Sequence, residues 1–395
     1  MRSGVTPSPC LRVSPSPCFR AGGTNDERGV ASSSGDATLA VIIVSFNVRE
    51  LLRRALAATF ASLERSPELD AQVWVVDNFS ADGSAGMVAA EFPQARLLAS
   101  TRNLGFAGGN NLALRALGFD DVEDPVSSPT GKEVPFPRAG EAETGFGAEM
   151  AGRPDYVLLL NPDAEPVGNA VGEMAGFLQA HPAVGGAGAQ LRYADGRFQH
   201  GAFRFPGLWQ LWFDFFPPRP RRLLDSRLNG RYPRKLYDAG SPFPVDFALG
   251  AALMVRRDAI QAAGLLDEDY FMYAEEVDWC WRIRKAGWPF YCVPAAEVIH
   301  YGGASARQFR SSSFLNLWRS RYRLYERFYG SVRYWLAARI VCLGMWAEAR
   351  RARMAAARGE IGAEELAERV ATASEVRRLF AQRHHSAAKS FREAA

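Results

Sequence analysis

The sequence has little cysteine and histidine and no long uninterrupted apolar run. Its five cysteines, spread over 395 residues, form neither a close metal-binding pair nor a disulfide framework, which predicts a reducing cytoplasmic setting. Arg333 and Arg339 interrupt the most apolar stretch near the C-terminus, so we expect no ordinary spanning helix. The net charge of +4 is too small for a dedicated nucleic-acid footprint and favours anionic small substrates or an anionic bilayer surface.

Composition divides the chain into three regions. Residues 1–38 are rich in Ser, Pro, Gly and Arg without apolar periodicity, which predicts a disordered tail. Residues 39–305 alternate apolar runs with helical patterns, apart from a Pro-, Gly- and acid-rich stretch at 119–154 that predicts a surface insertion. Residues 306–395 predict amphipathic helices rich in Arg and aromatics, which form a helical appendage.

Unbroken apolar runs mark the predicted strands. Leu39–Val44, Val73–Val76 and Tyr156–Leu160 are typical of strands buried on both faces, and helical patterns alternate with them. This alternation predicts an α/β fold with a mostly parallel, Rossmann-like sheet, helices on both faces, and a ligand at the carboxyl ends of the strands. Asp77 and Asp163 follow two of these runs, so we expect them to lie close together.

Three carboxylates, Glu275, Glu276 and Asp278, stand among aromatic residues where a helix is predicted to begin. Burying several acids is costly unless they meet a cation, a metal or a substrate hydroxyl, so the cluster predicts a catalytic base. The helix dipole would favour the ionised form of Glu276, with Glu275 and Asp278 as competitors for the role. The structural alternative is an ion pair between Asp278 and Arg282, one turn later.

A divalent-cation site is predicted after the third apolar run. Mg²⁺ and Mn²⁺ prefer carboxylate oxygens and bridge phosphates, which makes Asp163 the best ligand candidate. Asn161 supplies a neutral oxygen or a hydrogen bond two residues earlier, although Asn-Pro-Asp also occurs in ordinary turns. His300 follows another apolar stretch and is either a second metal ligand, a phosphate contact or a satisfied buried histidine.

A Gly-rich loop at Asn103–Asn111 leads into a predicted helix, where backbone N–H groups can approach an anion closely. It lacks the GxGxxG spacing of a dinucleotide fingerprint, and such a loop is also compatible with a simple turn.

Taken in order, these motifs resemble those of inverting family 2 glycosyltransferases of the GT-A fold, particularly the rhamnosyltransferase-like branch. The resemblance covers residues 39–305. Its pieces are Val41–Asn47, Val75–Ser84, Asn103–Asn111, Leu160–Asp163, Gly250–Arg257 and the acidic segment Tyr270–Arg282.

The resemblance implies roles for individual residues. Ser45 and Asp77 would contact the nucleotide base and ribose, Asp163 would bind the metal on the diphosphate with His300 as second ligand, and Glu276 would be the base. The remaining implied donor contacts are Asn47, Asn78, Asn103, Gly105, Gly108, Asn110, Asn161, Gly250 and Ala251. The sequence departs from the family in two places, because Glu275-Glu276 replaces the usual Glu-Asp pair and Asn161 replaces the first Asp of Asp-x-Asp.

The implied activity is metal-dependent inverting transfer of a sugar, with rhamnose favoured, from a dTDP- or UDP-sugar. The acceptor would be a hydroxyl of a saccharide or polyprenol-linked saccharide in cell-surface polysaccharide assembly. The cofactor would be Mg²⁺ or Mn²⁺. The C-terminal helices would contact the inner face of the cell membrane peripherally, or instead pack on the catalytic domain or on a second copy in a homo-oligomer. The alternative function is a non-catalytic sugar- or nucleotide-binding module, motivated by the two departures.

Overall fold

The computed structural model describes residues 37–119, 152–302 and 310–393, with side chains described only up to residue 381 and, in the last segment, from residue 314. The predicted tail at 1–38 and insertion at 119–154 lie almost wholly outside the described residues, as does the boundary near Ser305. The described residues belong to one compact unit.

The strands and helices follow in chain order. Within the described residues the strands are β1 (Ala37–Ser45), β2 (Leu69–Asp77), β3 (Arg96–Ala99), β4 (Tyr156–Leu160), β5 (Ala164–Pro166), β6 (Gly186–Arg192), β7 (Phe198–Gln199), β8 (Ala202–Phe203), β9 (Phe243–Val245), β10 (Phe247–Ala248), β11 (Ala252–Arg256) and β12 (Phe290–His300). In the same ranges the α-helices are α1 (Arg49–Leu63), α2 (Ser84–Glu91), α3 (Gly105–Leu114), α4 (Ala170–Ala180), α5 (Leu208–Phe215), α6 (Arg234–Asp238), α7 (Arg257–Ala263), α8 (Glu275–Lys285), α9 (Arg310–Phe328), α10 (Ser331–Ala357) and α11 (Ala363–Glu393).

One large twisted sheet organises the molecule. Its strand order is β3-β2-β1-β4-β11-β6-β12-β5, and four of the seven neighbouring pairs along this path are parallel in the part of the chain described. The predicted α/β class with a mostly parallel sheet is confirmed, as are the three predicted strands, which are β1, β2 and β4. The antiparallel strand β11 in the middle of the sheet was not anticipated from the sequence.

The sheet has a hydrophobic core on each face. Along β1, Ala40, Ile42 and Val44 belong to one core, whereas Leu39 and Ile43 belong to the other, because successive side chains of a strand point to opposite faces. A strand in this position has no solvent-facing side, which explains why its sequence is an unbroken apolar run rather than an alternating one.

The C-terminal helices α9, α10 and α11 pack together and against α5. Phe215 at the end of α5 stacks on Trp318 of α9, with ring centroids 5.1 Å apart. Gly344 of α10 faces the same ring so closely that a Cβ at this position would overlap it. Glycine therefore permits α10 and α5 to approach, and the aromatic-rich segment before residue 216 belongs to the packing of these helices. None of the helices in the described ranges combines the length and the hydrophobicity that a membrane span requires.

A buried ion-pair network joins α9 to the segment that precedes and begins α8. Asp278 is fully buried; one of its carboxylate oxygens accepts a hydrogen bond from Arg282 Nε at 2.7 Å and the other lies 3.1 Å from Arg327 Nη1. Arg327 also donates to Asp267 Oδ2 at 2.7 Å, and Arg282 Nη2 donates to Leu265 O at 2.7 Å. The alternative reading of Asp278 as the ion-pair partner of Arg282 is thus confirmed.

We expect Arg327→Ala to destabilise the fold by about 3 kcal/mol, because two buried carboxylates would lose a shared cation while remaining out of water. The measurement is the midpoint of urea-induced unfolding with the slope held common to both proteins. Arg358→Ala is the matched control, since the pair between Arg358 and Glu360 is solvent-exposed and should leave the midpoint nearly unchanged. Equal midpoints for both variants would contradict a stabilising role of the network.

Candidate active site

The carboxyl ends of β1, β2 and β4 meet at one edge of the sheet, as predicted. Ser45 and Asp77, the last residues of β1 and β2, are register partners, and the Asn78 N–H donates to Ser45 O at 2.8 Å. β4 pairs with β1 in parallel and runs directly into Asn161 and Asp163. The topology therefore gathers residues from distant parts of the sequence at one place.

Two buried polar atoms at this edge lack partners. Within the described residues, neither Ser45 Oγ nor Asp77 Oδ1 has a hydrogen-bond partner, although both side chains are buried. Leaving a buried acceptor unpaired costs free energy comparable to a lost hydrogen bond. A polar ligand that reached these atoms would remove that cost.

Backbone strain is concentrated in the same region. In the described ranges the non-glycine residues with positive φ are Asn47 (53°), Phe79 (70°), Tyr273 (73°) and Ala274 (65°). The first two follow β1 and β2, and the other two directly precede the acidic cluster. Such conformations persist only where surrounding contacts enforce them, and they cluster at functional sites.

Local hydrogen bonds enforce the first two of these conformations. The Asn47 N–H donates to Ser80 Oγ at 3.0 Å, and Asn47 Oδ1 accepts from the Ala81 N–H at 2.8 Å. Ser80 N–H in turn donates to Asp77 Oδ2 at 3.2 Å. The polar side chain of Asn47 is thus used to hold the β2–α2 turn, in which Phe79 is left 59% exposed.

Asn78 fixes the loop before α3. Its Nδ2 donates to Asn103 Oδ1 at 2.9 Å and to Gly105 O at 3.0 Å, while its Oδ1 accepts from the Leu104 N–H at 2.8 Å. Asn103 Oδ1 also accepts from the Gly105 N–H at 2.9 Å. These bonds show that Asn78 and Asn103 shape the site by positioning the loop.

The loop touches the acidic segment through its backbone. Gly105 has φ of 72°, and a Cβ there would overlap Phe271 O. The neighbouring Phe106 N–H donates to that same oxygen at 3.0 Å. Only glycine therefore allows the start of α3 to lie against the residues that precede α8.

The prediction of a Gly-rich phosphate cradle needs a correction at Gly108 and Asn110. Both are buried within α3, where Asn110 Nδ2 donates to Phe106 O at 2.9 Å. Gly109 shows the reason for the glycines, because a Cβ there would come within 2.6 Å of Val44 on β1. The helix begins earlier than predicted, and Gly109 serves the close packing of α3 against the sheet.

Asn161, Asp163 and His300 form the other half of the site. His300 ends β12, and its Nε2 lies 3.4 Å from Asp163 Oδ1 and 3.4 Å from Asn161 Nδ2. Its Nδ1 lies 3.2 Å from Gln199 Nε2, whereas Gln199 Oε1 is buried without a hydrogen-bond partner among the described residues. If the oxygen and nitrogen of the Gln199 amide are exchanged, Gln199 Oε1 accepts a hydrogen bond from the Nδ1–H group of His300. The lone pair of His300 Nε2 then lies beside Asp163.

This pair fits a divalent cation bound together with a diphosphate. Asp163 and His300 are both buried to more than nine-tenths and supply one carboxylate and one imidazole. Across the described residues no group of three or more His, Cys, Asp and Glu side chains could hold a metal ion. Mg²⁺ is ordinarily held by one or two carboxylates together with substrate phosphates and waters, so a two-residue protein site is sufficient.

Gly250 and Ala251 connect the two halves. Ala251 O accepts from the Asn161 N–H at 3.1 Å. A Cβ placed on Gly250 would lie 3.7 Å from Glu276 Cβ and 3.2 Å from the ring of Phe106. The absence of a side chain at Gly250 leaves room next to Glu276, which suits the donor contact that the resemblance implies for Gly250.

Glu275 and Glu276 open α8 in different environments. Glu275 is 5% exposed, and its Oε2 has no hydrogen-bond partner in the described part of the chain. Glu276 is half-buried on the side of Gly250. Burial raises the pKa of Glu276 to about 7, and burial beside Glu276 raises the pKa of Glu275 well above its usual value. The backbone N–H groups at the start of α8 lower the pKa of Glu276, as expected for a helix N-terminus, but desolvation raises it by more.

Asp278, the third acidic candidate, faces away from this pair. Helical spacing puts it about 200° around α8 from Glu276, and both of its oxygens are taken by arginines. This occupation argues against a role as base.

Two groups near the site were not anticipated from the sequence. Gln199 reaches His300 from the two-residue strand β7, a segment with no motif that could have drawn attention to it. Arg54 of α1 stacks over Tyr301 and pairs with Glu165 at 2.9 Å, next to His300 and Asp163. Its place on the solvent-exposed side of a long helix gave no sequence signal.

Comparison with known proteins supplies the class. Residues 40–118 match the family model described as glycosyl transferase family 2. Over 271 residues, which are 67% of this chain and 76% of the relative, the sequence is 29% identical to the N-acetylglucosaminyl-diphospho-decaprenol L-rhamnosyltransferase of Mycobacterium tuberculosis. It is 37% identical over 70 residues, or 18% of this chain and 26% of the relative, to the rhamnosyltransferase WbbL of Escherichia coli.

Two solved glycosyltransferase structures were also found, each with a TM-score below 0.5. The mannosyltransferase PcManGT from Pyrobaculum calidifontis, in complex with GDP-Man and Mn²⁺, covers 86% of this chain with 17% identity and a TM-score of 0.45, and 79% of its own chain is matched. GalNAc-T7, with UDP, GalNAc and Mn²⁺, matches 67% of this chain and 43% of its own chain with 14% identity and a TM-score of 0.43.

The family match over residues 40–118 and the ordered motifs support a protein that is similar to family 2 glycosyltransferases. The relatives named above make it rhamnosyltransferase-like.

We expect Gly105→Ala to lower transferase turnover by at least about tenfold, because the added Cβ displaces Phe271 and with it the approach to Glu276. Gly86→Ala in α2 is the matched control. No atom outside the helix lies within 4 Å of a Cβ there, and the change should stabilise the fold by about 0.5–1 kcal/mol without reducing turnover. Equal turnover in both variants would refute the coupling between the loop and the acidic segment.

Proposed function

We propose that this protein is a metal-dependent inverting glycosyltransferase that moves a sugar, rhamnose by similarity, from a nucleoside-diphosphate sugar to a hydroxyl of a polyprenol-linked saccharide. Residues 39–305 are proposed as the catalytic domain and 306–395 as a helical region packed on it. The similarity to a relative named as an N-acetylglucosaminyl-diphospho-decaprenol L-rhamnosyltransferase supports the acceptor class.

The observation that carries the proposal is the position of Glu276 between the two halves of the site. It lies beside Gly250, whose neighbour Ala251 is hydrogen-bonded to the turn that carries Asp163. A donor whose diphosphate lay at Asp163 and His300 would present its sugar near Gly250. The unpaired atoms of Ser45 and Asp77 support placement of the nucleoside at the ends of β1 and β2.

In the proposed reaction Glu276 accepts the proton of the acceptor hydroxyl while the hydroxyl oxygen attacks the anomeric carbon in line. The bond between that carbon and the diphosphate oxygen breaks, and the nucleoside diphosphate departs with the bonding electrons. The configuration at the anomeric carbon inverts in this single displacement, and no covalent enzyme intermediate forms. A base with a pKa close to the working pH is well matched to this proton transfer.

Asp163 and His300 would hold Mg²⁺ or Mn²⁺ on the diphosphate, with Asn161 and Gln199 orienting the imidazole. A bound divalent cation would offset the charge that develops on the leaving diphosphate. Asn161 cannot add the charge that an aspartate would, so Asp163 is the carboxylate on which binding of the cation would depend.

The second candidate function is a binding module that retains the fold without catalysis. The observation in its favour is the pair of departures, Glu276 and Asn161, from the family pattern. Measuring nucleoside diphosphate release from UDP-, dTDP- and GDP-sugars, with and without Mn²⁺ and with membrane lipid extract as acceptor, separates the two. Metal-dependent release stimulated by acceptor supports a transferase, whereas donor binding without release supports the module.

We expect Glu276→Gln to reduce turnover by ~10²–10⁴-fold with nearly unchanged donor affinity, because the amide is similar in size but cannot accept the proton. Wild-type kcat/KM should fall as the pH drops below about 7, where Glu276 becomes protonated, and this limb should vanish in the variant. Glu275→Gln is the paired control. Normal turnover in Glu276→Gln together with a severe loss in Glu275→Gln would transfer the role to Glu275.

We expect Asp163→Asn to weaken Mn²⁺-dependent donor binding by on the order of tenfold or more, because a neutral amide is a poor ligand for a hard cation. Titration calorimetry with the nucleoside diphosphate, with and without Mn²⁺, measures this directly. Asp269→Asn, an exposed carboxylate outside the site, is the control for a change of charge alone. An unchanged metal effect in Asp163→Asn would contradict the ligand assignment.

A further inference from the structure

The long helix α10 carries a second apolar face that points to solvent. Large side chains on this face are 38–75% exposed. We call them the outer stripe, which consists of Val332, Trp335, Leu336, Leu343, Trp346 and Met354. Their spacings of three, four and seven residues place them along one side of the helix.

The outer stripe is separate from the core of the protein. The opposite side of α10, which includes Tyr334, Ala337, Val341 and Met345, is buried against α5, α9 and α11. The stripe, including its two tryptophans, therefore lies outside the buried side that docks the helix. Trp209 of α5, 61% exposed, adds a third tryptophan on the neighbouring helix.

Arginines accompany these tryptophans. The Arg339 guanidinium lies 5.2 Å from the ring centre of Trp335, and that of Arg350 lies 5.9 Å from the ring centre of Trp346. Each arginine follows its tryptophan by four residues, so it lies one turn along the same face. Long cationic side chains beside indole rings can keep their charge at a polar boundary while the rings enter an apolar layer.

The charge of α10 is strongly one-sided. It contains five arginines and a single carboxylate, Glu348, which gives a formal charge of +4. Glu348 is paired with Arg351 at 3.2 Å and lies about 200° around the helix from Trp346. The outer stripe thus combines apolar bulk with positive charge and carries no carboxylate of its own helix.

We propose that the outer stripe, together with Trp209, rests on a lipid surface that contains anionic headgroups. A helix of 27 residues is about 40 Å long and could lie in the plane of the interface, where tryptophan is favoured and each arginine gains from the negative surface potential. The proposal extends the proposed function and rests on it for its purpose, since a polyprenol-linked acceptor would be held in a membrane.

A cleft lies near one end of the outer stripe. Arg333 at the start of α10 donates to Pro206 O at 3.0 Å, which puts this end of the stripe next to the segment leading into α5. A cleft of about 230 Å³ opens there, lined by Arg204, Trp209, Arg227 and Leu228 among others. Its lining combines two arginines and the exposed side chains of Trp209 and Leu228 with one carboxylate, Asp246, which is paired with Arg284.

The test is flotation of the purified full-length protein with vesicles, without donor or acceptor. Vesicles of phosphatidylcholine alone are compared with vesicles of phosphatidylcholine mixed with phosphatidylglycerol, at low and at high salt. We expect binding to the anionic vesicles that weakens with salt, together with a blue shift of tryptophan emission.

Two double variants locate the surface. Trp335→Ser/Trp346→Ser should abolish the emission shift and most of the binding, and Arg339→Glu/Arg350→Glu should lower binding by at least about fivefold for each arginine lost. The matched control for charge is Arg197→Glu/Arg234→Glu, which changes the net charge equally on other elements. The matched control for an exposed aromatic is Tyr193→Ser, in the turn between β6 and β7.

The proposal is supported if the wild-type protein binds anionic vesicles, both stripe variants lose this binding, and both controls keep it. Vesicle binding that the stripe variants retain would overturn it. So would wild-type self-association that the stripe variants abolish, because the stripe would then be an interface between two copies. Nucleoside diphosphate release with a water-soluble acceptor is measured on the same proteins. Vesicle binding without any nucleoside diphosphate release would support the proposed lipid-binding surface and refute the proposed transferase activity. Release without vesicle binding would support the transferase activity and refute the lipid-binding surface.

Discussion

The buried carboxylate of Asp278 is the constraint on which the arrangement of the candidate active site depends. A carboxylate removed from water is tolerated only when cations and hydrogen bonds compensate it, and here Arg282 from its own helix and Arg327 from α9 do so. Because Arg282 also holds the carbonyl of Leu265 and Arg327 holds Asp267, the same charges fix the chain that leads into α8. The position of Glu276 follows from that fixed helix start, so a C-terminal helix contributes to a site that it does not line.

The helix places three acids that are close together in sequence in three different environments. At 100° per residue, a position two residues on lies on the opposite side of the helix, so Asp278 meets arginines while Glu276 faces the space beside Gly250. Glu275 is enclosed without a cation among the described residues, and its pKa is raised by burial and by its neighbour. Only Glu276 combines partial access with a pKa near neutrality, which is the combination a general base requires.

The sequence allowed the sheet and the convergence of its strand ends to be predicted, but not the contacts that each residue makes. Strands buried on both faces leave an unmistakable apolar run, as in β1 and β4, and parallel strands bring their ends together. Asn78 and Gly109 belong to motifs found by resemblance, yet the structure uses one to hold a loop and the other to pack a helix on the sheet. A sequence motif shows which residue types occur together. It does not show whether a given residue contacts a ligand or shapes the pocket around the ligand. Gln199 shows the converse, since a contact made by a two-residue strand leaves no pattern to detect.

The C-terminal helices show a second limit of sequence patterns, which the packing observed in the structure resolves. A helix with apolar residues on two sides, such as α10, does not disclose from its sequence which side faces inward. The structure settles this through Gly344, which allows contact with Phe215, and through Phe215 stacked on Trp318 of α9. The side left outside is the one that carries Trp335 and Trp346 with arginines stacked on them. Since α9 also supplies Arg327 to Asp278, the outer stripe and Glu276 belong to one continuously packed body. Whatever surface the stripe contacts therefore fixes the orientation of Glu276 relative to that surface.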